Sequence, residues 1–326
     1  MNRNAYIDGM MGLVVGDALG VPYEFRSREQ MKAESATDMI GYGTYNVPAG
    51  TWSDDSSMAL ATLDALRKGC DLEVIMRNFA DWLYNRKYTP YGEVFDIGLT
   101  CRTAISNYVK SGNINTCGCG GEYENGNGSL MRILPACIYF CNEEVSGRSS
   151  VNEIIKNIHA VSALTHSHLR SMIACGLYYF LVKEMIVGSG IISERLQRGF
   201  NNGFAFYEAD PANLKELAYY DSMRNMAEFA ELTDSDIKSS GYVVSSLEAA
   251  VWCAANTSDY HSCVLKAVNL GSDTDTVAAI AGGIAGLYYG YDDIPEKWKS
   301  LIAKREWIER LCRAEYAQGC DHKKAF

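Results

Sequence analysis

The chain has 326 residues with 48% hydrophobic content, so it can bury a large core, as one big domain or as two, and it is not a disordered protein. Its formal net charge of -10 and its pI near 5.1 argue against a nucleic-acid duplex as partner, so any phosphate that it binds must be met locally. No charge-free apolar run of about 18 residues occurs, which argues against a membrane span.

Helical periodicity dominates the chain, and strand-like alternation is scarce. The first apolar stretch, residues 6–20, contains Asp8 and Asp17 and no small-residue cleavage site, which favours a folded helix over a signal peptide. Only six prolines occur, and Gly or Asn stands at most breaks, which predicts an all-α bundle of about a dozen helices or more. We expect residues 1–326 to form a single compact domain, with the more polar residues 188–240 as a peripheral helical decoration.

Two oxygen-bearing blocks near the start of the chain contain the first candidate residues. A helix that ends at Gly20 is followed by Glu24, which by itself would usually be a solvated loop residue. Ser53, Asp54 and Asp55 lie directly before an apolar helical run, and such hard oxygen donors select Mg²⁺, Mn²⁺ or Ca²⁺ over zinc. Taken alone, this second block fits an ordinary helix N-cap better, because Ser and Asp cap helices and the helix dipole favours negative charge there.

A Gly- and Asn-rich stretch over residues 112–128 predicts a long loop. The loop leads through Asn127, Gly128 and Ser129 into a helix, and backbone N–H groups at such a junction can hold a phosphate. As a general phosphate motif the block is weak, because it lacks the Gly-Lys-Ser/Thr ending of a P-loop and follows no obvious strand.

The cysteines and histidines give weaker signals. The 11 cysteines, an odd number in mostly apolar segments, suit core packing in a reducing cytoplasm better than a disulfide framework. Cys117 and Cys119 lack the second close pair that would complete a tetrahedral metal site. His166 and His168 are two residues apart and do not share a helix face, which favours a single hydrogen-bonding histidine over paired metal ligands.

The strongest pattern lies near the C-terminal end, where Asp273, Asp275 and Thr276 precede a helix that we predict over residues 277–289. This helix is rich in Ala and Gly, so neighbouring helices can approach it closely and its first end should be buried. Unpaired carboxylates at a buried helix end are strongly unfavourable, and a cation is their natural compensation. We therefore predict that this block and residues 53–55 together form a dinuclear site for divalent metal ions.

Taken together, these blocks resemble the ADP-ribosylglycohydrolase family, which includes the enzyme that reactivates dinitrogenase reductase. The resemblance runs from residue 9 to about residue 290, without residues 188–240. It rests on Ser-Asp-Asp at 53–55, Asp-Thr-Asp-Thr at 273–276, Gly-Asp-Ala-Leu-Gly-Val-Pro-Tyr-Glu at 16–24, Gly-Asn-Gly-Ser-Leu-Met-Arg at 126–132 and Thr-His at 165–166. Departures are Ser56, where Thr is commoner, and a Cys-Gly-Cys-Gly-Gly insert that begins at Cys117.

The resemblance implies a hydrolase that cleaves the glycosidic bond between ADP-ribose and a modified side chain with two Mg²⁺ or Mn²⁺ ions. Glu24 would orient or deprotonate the attacking water, and His166 would contact the distal ribose or a phosphate. The expected partner is an ADP-ribosylated protein or a small-molecule ADP-ribose conjugate. The implied diphosphate-binding residues are Asn127, Gly128 and Ser129, and the implied metal ligands are Ser53, Asp54, Asp55, Asp273, Asp275 and Thr276.

Asp96 bears on which bond is cut. As a proton donor to a leaving guanidine, or as its bidentate partner, Asp96 favours a link to arginine over a link to serine. The Phe-Asp-Ile-Gly-Leu-Thr block at residues 95–100 also resembles the bacterial, arginine-directed branch of the family. The alternative is that Asp96 is simply the N-cap of a helix over residues 97–109.

Two other functions fit part of the pattern. An all-α prenyl-diphosphate enzyme also holds magnesium with aspartates, but it expects a third Asp where Met58 stands. A catalytically silent ADP-ribose-binding relative would normally have lost a metal ligand, and none is lost here. A metal-dependent hydrolase is therefore the favoured function.

Overall fold

Helices make up the regular architecture of residues 4–314, the part of the chain that the computed structural model describes. Sixteen α-helices lie within these residues, which confirms the predicted all-α fold. Their bounds are α1 (Ala5–Gly20), α2 (Arg28–Ala33), α3 (Asp54–Leu66), α4 (Leu72–Asn85), α5 (Leu99–Ser111), α6 (Leu134–Val145), α7 (Val151–Ala163), α8 (Leu169–Val187), α9 (Ile192–Glu208), α10 (Leu214–Leu217), α11 (Met226–Ala230), α12 (Val243–Ala255), α13 (Tyr260–Val268), α14 (Thr274–Tyr289), α15 (Glu296–Leu301) and α16 (Arg305–Cys312). Short 3₁₀ turns span Val21–Tyr23, Asn127–Ser129, Pro211–Asn213, Ala218–Met223 and Tyr291–Asp293.

The two central helices are α1 and α14, which are buried on nearly every side. They run antiparallel with their backbones in contact, because glycine recurs at every fourth residue along one side of α1. A Cβ atom added at Gly12 would lie 2.2 Å from the carbonyl oxygen of Gly282, and one added at Gly16 would lie 2.1 Å from that of Ala278. The small residues of α14 were predicted to allow close approach by a neighbouring helix. They form the surface that α1 contacts.

The acidic blocks lie inside the first turns of their helices, which corrects the sequence expectation. The predicted helix over residues 277–289 begins earlier, at Thr274, so Asp275 belongs to the first turn of α14. Asp54 and Asp55 likewise occupy the first turn of α3 and do not precede it. The first turn of a helix accepts acidic side chains because its N–H groups and dipole favour negative charge there.

Residues 188–240 contain α9, α10 and α11 with short turns between them. Gly199 and Gly203 of α9 lie against leucine side chains of α8. At the end of the segment, the carbonyl oxygen of Ser239 accepts a hydrogen bond from the amide of Asp273 at 3.0 Å. The segment thus reaches the candidate site, while its description as a peripheral decoration of one domain stays a prediction.

The cysteines pack in the core, as the sequence indicates. Ten of them are described, all as free thiols, and nine of these are buried, including Cys117 and Cys119. Cys320 lies outside the described residues. Between residues 4 and 314 no helix combines the length and the apolar character that crossing a membrane requires.

We expect the substitution Gly12→Ala to lower the free energy of unfolding, because the added carbon would meet the Gly282 carbonyl oxygen of α14. Helix propensity alone predicts the opposite sign, since Ala is favoured over Gly inside a helix by about 1 kcal/mol. Overpacking of a tight contact costs about 1–3 kcal/mol, and more where the backbone must move. Urea unfolding followed by circular dichroism measures the change. Gly98→Ala is the control, because nothing lies within 4 Å of a Cβ at Gly98. A Gly12→Ala protein at least as stable as the wild type would contradict the proposed contact.

Candidate active site

Seven carboxyl groups converge where the C-terminal end of α1 meets the N-terminal ends of α3 and α14. A cleft of about 190 Å³ opens onto them and is lined in part by Glu24, Asp54, Asp96 and Asp273. The two blocks that are remote in sequence touch directly, since the Thr276 hydroxyl donates to Asp55 Oδ2 at 3.2 Å. We call the group the acidic cluster; its members are Asp17, Glu24, Asp54, Asp55, Asp96, Asp273 and Asp275.

Asp17 holds the start of α3 in place from inside α1. The Ser53 amide donates to both Asp17 carboxylate oxygens, at 3.0 and 3.1 Å, and the Ser56 amide and hydroxyl donate to Oδ2. These bonds satisfy N–H groups that the first turn of a helix leaves without partners. Asp54 and Asp55, between the two serines, are thereby fixed relative to α1.

The start of α14 is held by a second set of hydrogen bonds. The side-chain amide of Asn127 donates to Asp273 Oδ2 at 2.7 Å and to the Ser246 hydroxyl oxygen at 2.9 Å. The Ser53 hydroxyl donates to Asp55 Oδ2 at 3.2 Å, beside the bond from Thr276. Every residue of the predicted metal-ligand set therefore lies in or directly beside this one site.

Glu24 and Asp96 join the cluster from two loops. One carboxylate oxygen of each lies within 4.8 Å of a carboxylate oxygen of Asp275 and of each other. The Tyr45 hydroxyl donates to Asp96 Oδ1 at 2.6 Å, and Asp96 has a left-handed backbone with φ of 60°. The alternative that Asp96 is a helix N-cap is excluded, because α5 begins at Leu99 with Gly98 as its N-cap residue.

The crowding of these groups perturbs their protonation. Burial, reinforced by the neighbouring charges of Asp96 and Asp55, holds the pKa of Asp54 well above its usual range. Burial raises the pKa of Glu24 to about 9, with the charge of Asp96 as the second cause. Burial also raises the pKa of Asp17 to about 6 although Ser56 and Ser53 donate to it. In the absence of a cation, these carboxyl groups resist ionisation together.

The acidic cluster fits divalent metal ions. Three of its buried oxygens, Glu24 Oε2, Asp55 Oδ1 and Asp275 Oδ2, have no hydrogen-bond partner, which is unfavourable unless something else compensates them. No Lys or Arg is present among the described residues that line the cleft. Hard cations take carboxylate oxygens as ligands, so the donor set matches Mg²⁺ or Mn²⁺ chemically.

The Gly-rich loop and His166 also contribute to the lining of the cleft. Gly126, Gly128 and His166 line it. Asn127 turns its side chain to Asp273, and Ser129 is fully buried with its hydroxyl beside the Cys175 thiol. Phosphate binding by residues 127–129 stays a prediction, and the structure places only Gly128 of these three on the cleft surface.

Two residues that hold the site, Asp17 and Tyr45, have no sequence signal for that role. Asp17 stands in a block that the resemblance identifies, but an acidic residue inside an apolar helix carries no sign of which distant amide it will meet. Tyr45 lies in a segment without any motif, and its ring packs on Phe95 with centroids 4.8 Å apart. No local pattern pointed to it.

Several known proteins resemble this chain over most of its length. The family model described as ADP-ribosylglycohydrolase matches residues 2–325. The chain is 31% identical over 304 residues to the ADP-ribosylarginine hydrolase Tri1 of Serratia proteamaculans, covering 93% of this chain and 76% of that one. It is 28% identical to the ADP-ribosyl-(dinitrogen reductase) glycohydrolase of Rhodospirillum rubrum, covering 95% and 93%. A solved structure described as an ADP-ribosylglycohydrolase-related protein complex matches with a TM-score of 0.75 at 28% identity, covering 96% and 97%.

We expect saturating Mn²⁺ to raise the midpoint of thermal unfolding, because a ligand that binds only the folded state stabilises it by about 2.7 kcal/mol at a hundred times its dissociation constant. Asp275→Asn should abolish this shift and also raise the metal-free midpoint. The sign follows from the raised pKa of Asp275, which is due to burial and then to the charges of Glu24 and Asp96. A carboxyl group with a raised folded-state pKa destabilises the fold at neutral pH, and an amide removes that effect.

Thermal scans with and without Mn²⁺, together with calorimetric titration, measure both effects. The matched control is Asp292→Asn, at an exposed aspartate outside the acidic cluster. An undiminished Mn²⁺ shift in the Asp275→Asn protein would remove Asp275 from the metal site.

Proposed function

The chain belongs to the ADP-ribosylglycohydrolase family, a family of hydrolases, and from this premise we propose that it releases ADP-ribose from modified arginine side chains of proteins. The observation that carries the proposal is the meeting of residues 53–55, residues 273–276, Glu24 and Asp96 in one cleft. The similarity to an ADP-ribosylarginine hydrolase supports the arginine linkage. A reducing cytoplasm suits the nine buried thiols.

We place two Mg²⁺ or Mn²⁺ ions on the acidic cluster. Their ligands would come from Ser53, Asp54, Asp55, Asp273, Asp275 and Thr276. When bound, the ions would supply the positive charge that the cluster lacks and a point of attachment for the vicinal hydroxyls of the ribose. A ribose fixed in this way presents its anomeric carbon to groups that line the cleft, and such positioning contributes a large part of catalysis.

Glu24 and Asp96 are suited to the two proton transfers of hydrolysis. Glu24 Oε2 has no hydrogen-bond partner and Glu24 lines the cleft. Bound cations would lower its raised pKa, and the ionised Glu24 could then take a proton from the attacking water. Asp96 can give a proton to the guanidine nitrogen as the bond from that nitrogen to the anomeric carbon breaks. The Tyr45 hydroxyl, bonded to Asp96 Oδ1, leaves the other oxygen of Asp96 for the leaving group.

We expect Glu24→Gln to keep ADP-ribose affinity but to slow turnover by at least about 100-fold, the usual effect of removing a general base. Release of ADP-ribose from a modified protein at saturating Mg²⁺ gives the rate, and calorimetry gives the affinity. Glu29→Gln, at an exposed site on α2, is the matched control. Turnover at the wild-type rate would remove Glu24 from the mechanism.

We expect arginine-linked substrate to be cleaved faster than serine-linked substrate, and Asp96→Asn to slow the arginine reaction by about 100-fold or more because the proton donor is lost. Matched peptides that carry the two linkages, assayed with and without Mg²⁺, provide the measurement. Tyr45→Phe should have a smaller effect, since it removes only the hydroxyl that positions Asp96. Equal or faster cleavage of the serine linkage would overturn the arginine assignment, and no release from any conjugate would indicate a silent binding protein.

A further inference from the structure

A guanidinium group lies buried behind the wall of the cleft that carries His166. Arg132 is completely inaccessible to solvent and follows the Gly-rich loop, just before α6. Its guanidinium carbon lies 4.7 Å from the centre of the Phe79 ring. Its Nη2 donates to the Val161 carbonyl oxygen at 3.3 Å and to the Thr165 hydroxyl oxygen at 2.8 Å. Because a guanidinium remains protonated and has no acceptor, Thr165 must be the acceptor in this bond.

The same hydroxyl group contacts the imidazole ring of His166. Thr165 Oγ1 lies 2.8 Å from His166 Nδ1, and both residues are buried. A hydroxyl group has one proton to donate, and the bond from Arg132 directs that proton away from the guanidinium. If Nδ1 carried a proton, the Thr165 hydroxyl would accept one bond from Arg132 and a second from His166. The proton of that hydroxyl could then be donated only to the neighbouring Cys101 thiol, which is a weak acceptor. Donation from Thr165 to an unprotonated Nδ1 gives both the hydroxyl proton and the ring nitrogen a strong partner.

The edge of the His166 ring that carries Nε2 lies beside Gly126 and Gly128, and all three residues line the cleft. A Cβ atom at Gly128 would lie 2.9 Å from Cε1 of the ring and 3.5 Å from Nε2, so the Gly-rich loop lies directly against this edge. His166 provides the only side-chain nitrogen among the described residues that line the cleft. Burial, and secondarily the charge of Arg132, lowers the pKa of His166 to about 3, so the ring is neutral and carries a single proton.

We propose that Arg132 and Thr165 are positioning residues that hold neutral His166 with its proton on Nε2, so that the ring donates a hydrogen bond to a phosphate or ribose oxygen of the ligand. The identity of that ligand rests on the proposed function, whereas the position of the proton does not. A hydrogen-bond donor at His166 complements the acidic cluster, because the carboxylates of the cluster are only acceptors once they are ionised. An imidazole with its proton on Nδ1 would turn a lone pair towards the anionic ligand and repel it.

The tautomer can be measured without any substrate. Nitrogen-15 NMR of protein labelled at histidine distinguishes a protonated from an unprotonated ring nitrogen, and His166→Asn identifies the signals of this residue among the five histidines. We expect a protonated Nε2 and an unprotonated Nδ1 in the wild type at neutral pH. Thr165→Val should lose this preference and Thr165→Ser should restore it. A wild-type spectrum with the proton on Nδ1, or a Thr165→Val spectrum equal to the wild type, would overturn the proposal.

Two controls separate positioning from general damage to the core. Thr62→Val removes another buried hydroxyl, which donates to a backbone carbonyl within α3, and should leave the His166 signals unchanged. Cys101→Ala should also leave them unchanged, whereas a tautomer shift in that variant would show that Thr165 donates to the thiol and would overturn the assignment. If Thr165→Val fails to fold, the wild-type, Thr165→Ser and Cys101→Ala spectra still decide the matter.

Binding tests the consequence for the ligand. Thr165→Val should weaken the affinity for ADP-ribose in the presence of Mg²⁺ by about 10- to 100-fold, as expected for one hydrogen bond to a charged group, and Thr165→Ser should recover most of it. Unchanged ADP-ribose affinity in a Thr165→Val protein that has lost the tautomer would overturn the donor role. If wild-type protein with the proton on Nε2 does not bind ADP-ribose, the proposed function fails, while the positioning of the ring by Arg132 and Thr165 stands.

Discussion

Backbone contact between α1 and α14 sets the position of the carboxyl groups of the acidic cluster. The contact extends to the last residue of α1, where a Cβ atom at Gly20 would lie 2.4 Å from Cα of Asp275. The Thr274 hydroxyl donates to the Gly20 carbonyl oxygen at 2.8 Å and ties the two helix ends together. Glu24 follows Gly20 by one short 3₁₀ turn, so its carboxyl group is carried to the first turn of α14. The spacing of glycines inside the core thus determines the spacing of oxygens in the cleft.

The same packing buries carboxyl groups whose hydrogen-bonding needs the protein satisfies only in part. Burying carboxyl groups is unfavourable, and the fold supplies donors from Ser53, Thr276 and Asn127 to some of their oxygens. Those bonds reach Asp55 Oδ2 and Asp273 Oδ2, while other buried oxygens of the cluster have no partner. Rigid helices hold these oxygens together despite their repulsion, and such strain is typical of sites prepared for a cation.

Much of this arrangement can be predicted from the sequence, and the features that could not be predicted have identifiable physical reasons. Acidic blocks at the starts of two apolar helices, one of them rich in small residues, indicate a shared buried site because that pattern has few other physical solutions. The start of α14 was misplaced because Thr274 and Asp275 interrupt the apolar periodicity without interrupting the helix. The bonds that orient the site, such as Asp17 to the Ser53 amide, join positions far apart in sequence, and a single sequence has no local signal for them.

The pairing of α1 with α14 also determines when the protein can become functional during its synthesis. The bond from Thr274 to Gly20 spans 254 residues, so α1 leaves the ribosome long before its partner exists. At roughly 5–20 residues per second, an almost wholly apolar helix waits on the order of tens of seconds for the surface that will cover it. Contacts between such distant segments also form slowly. The nascent chain can therefore assemble its acidic cluster only after α14 has left the ribosome.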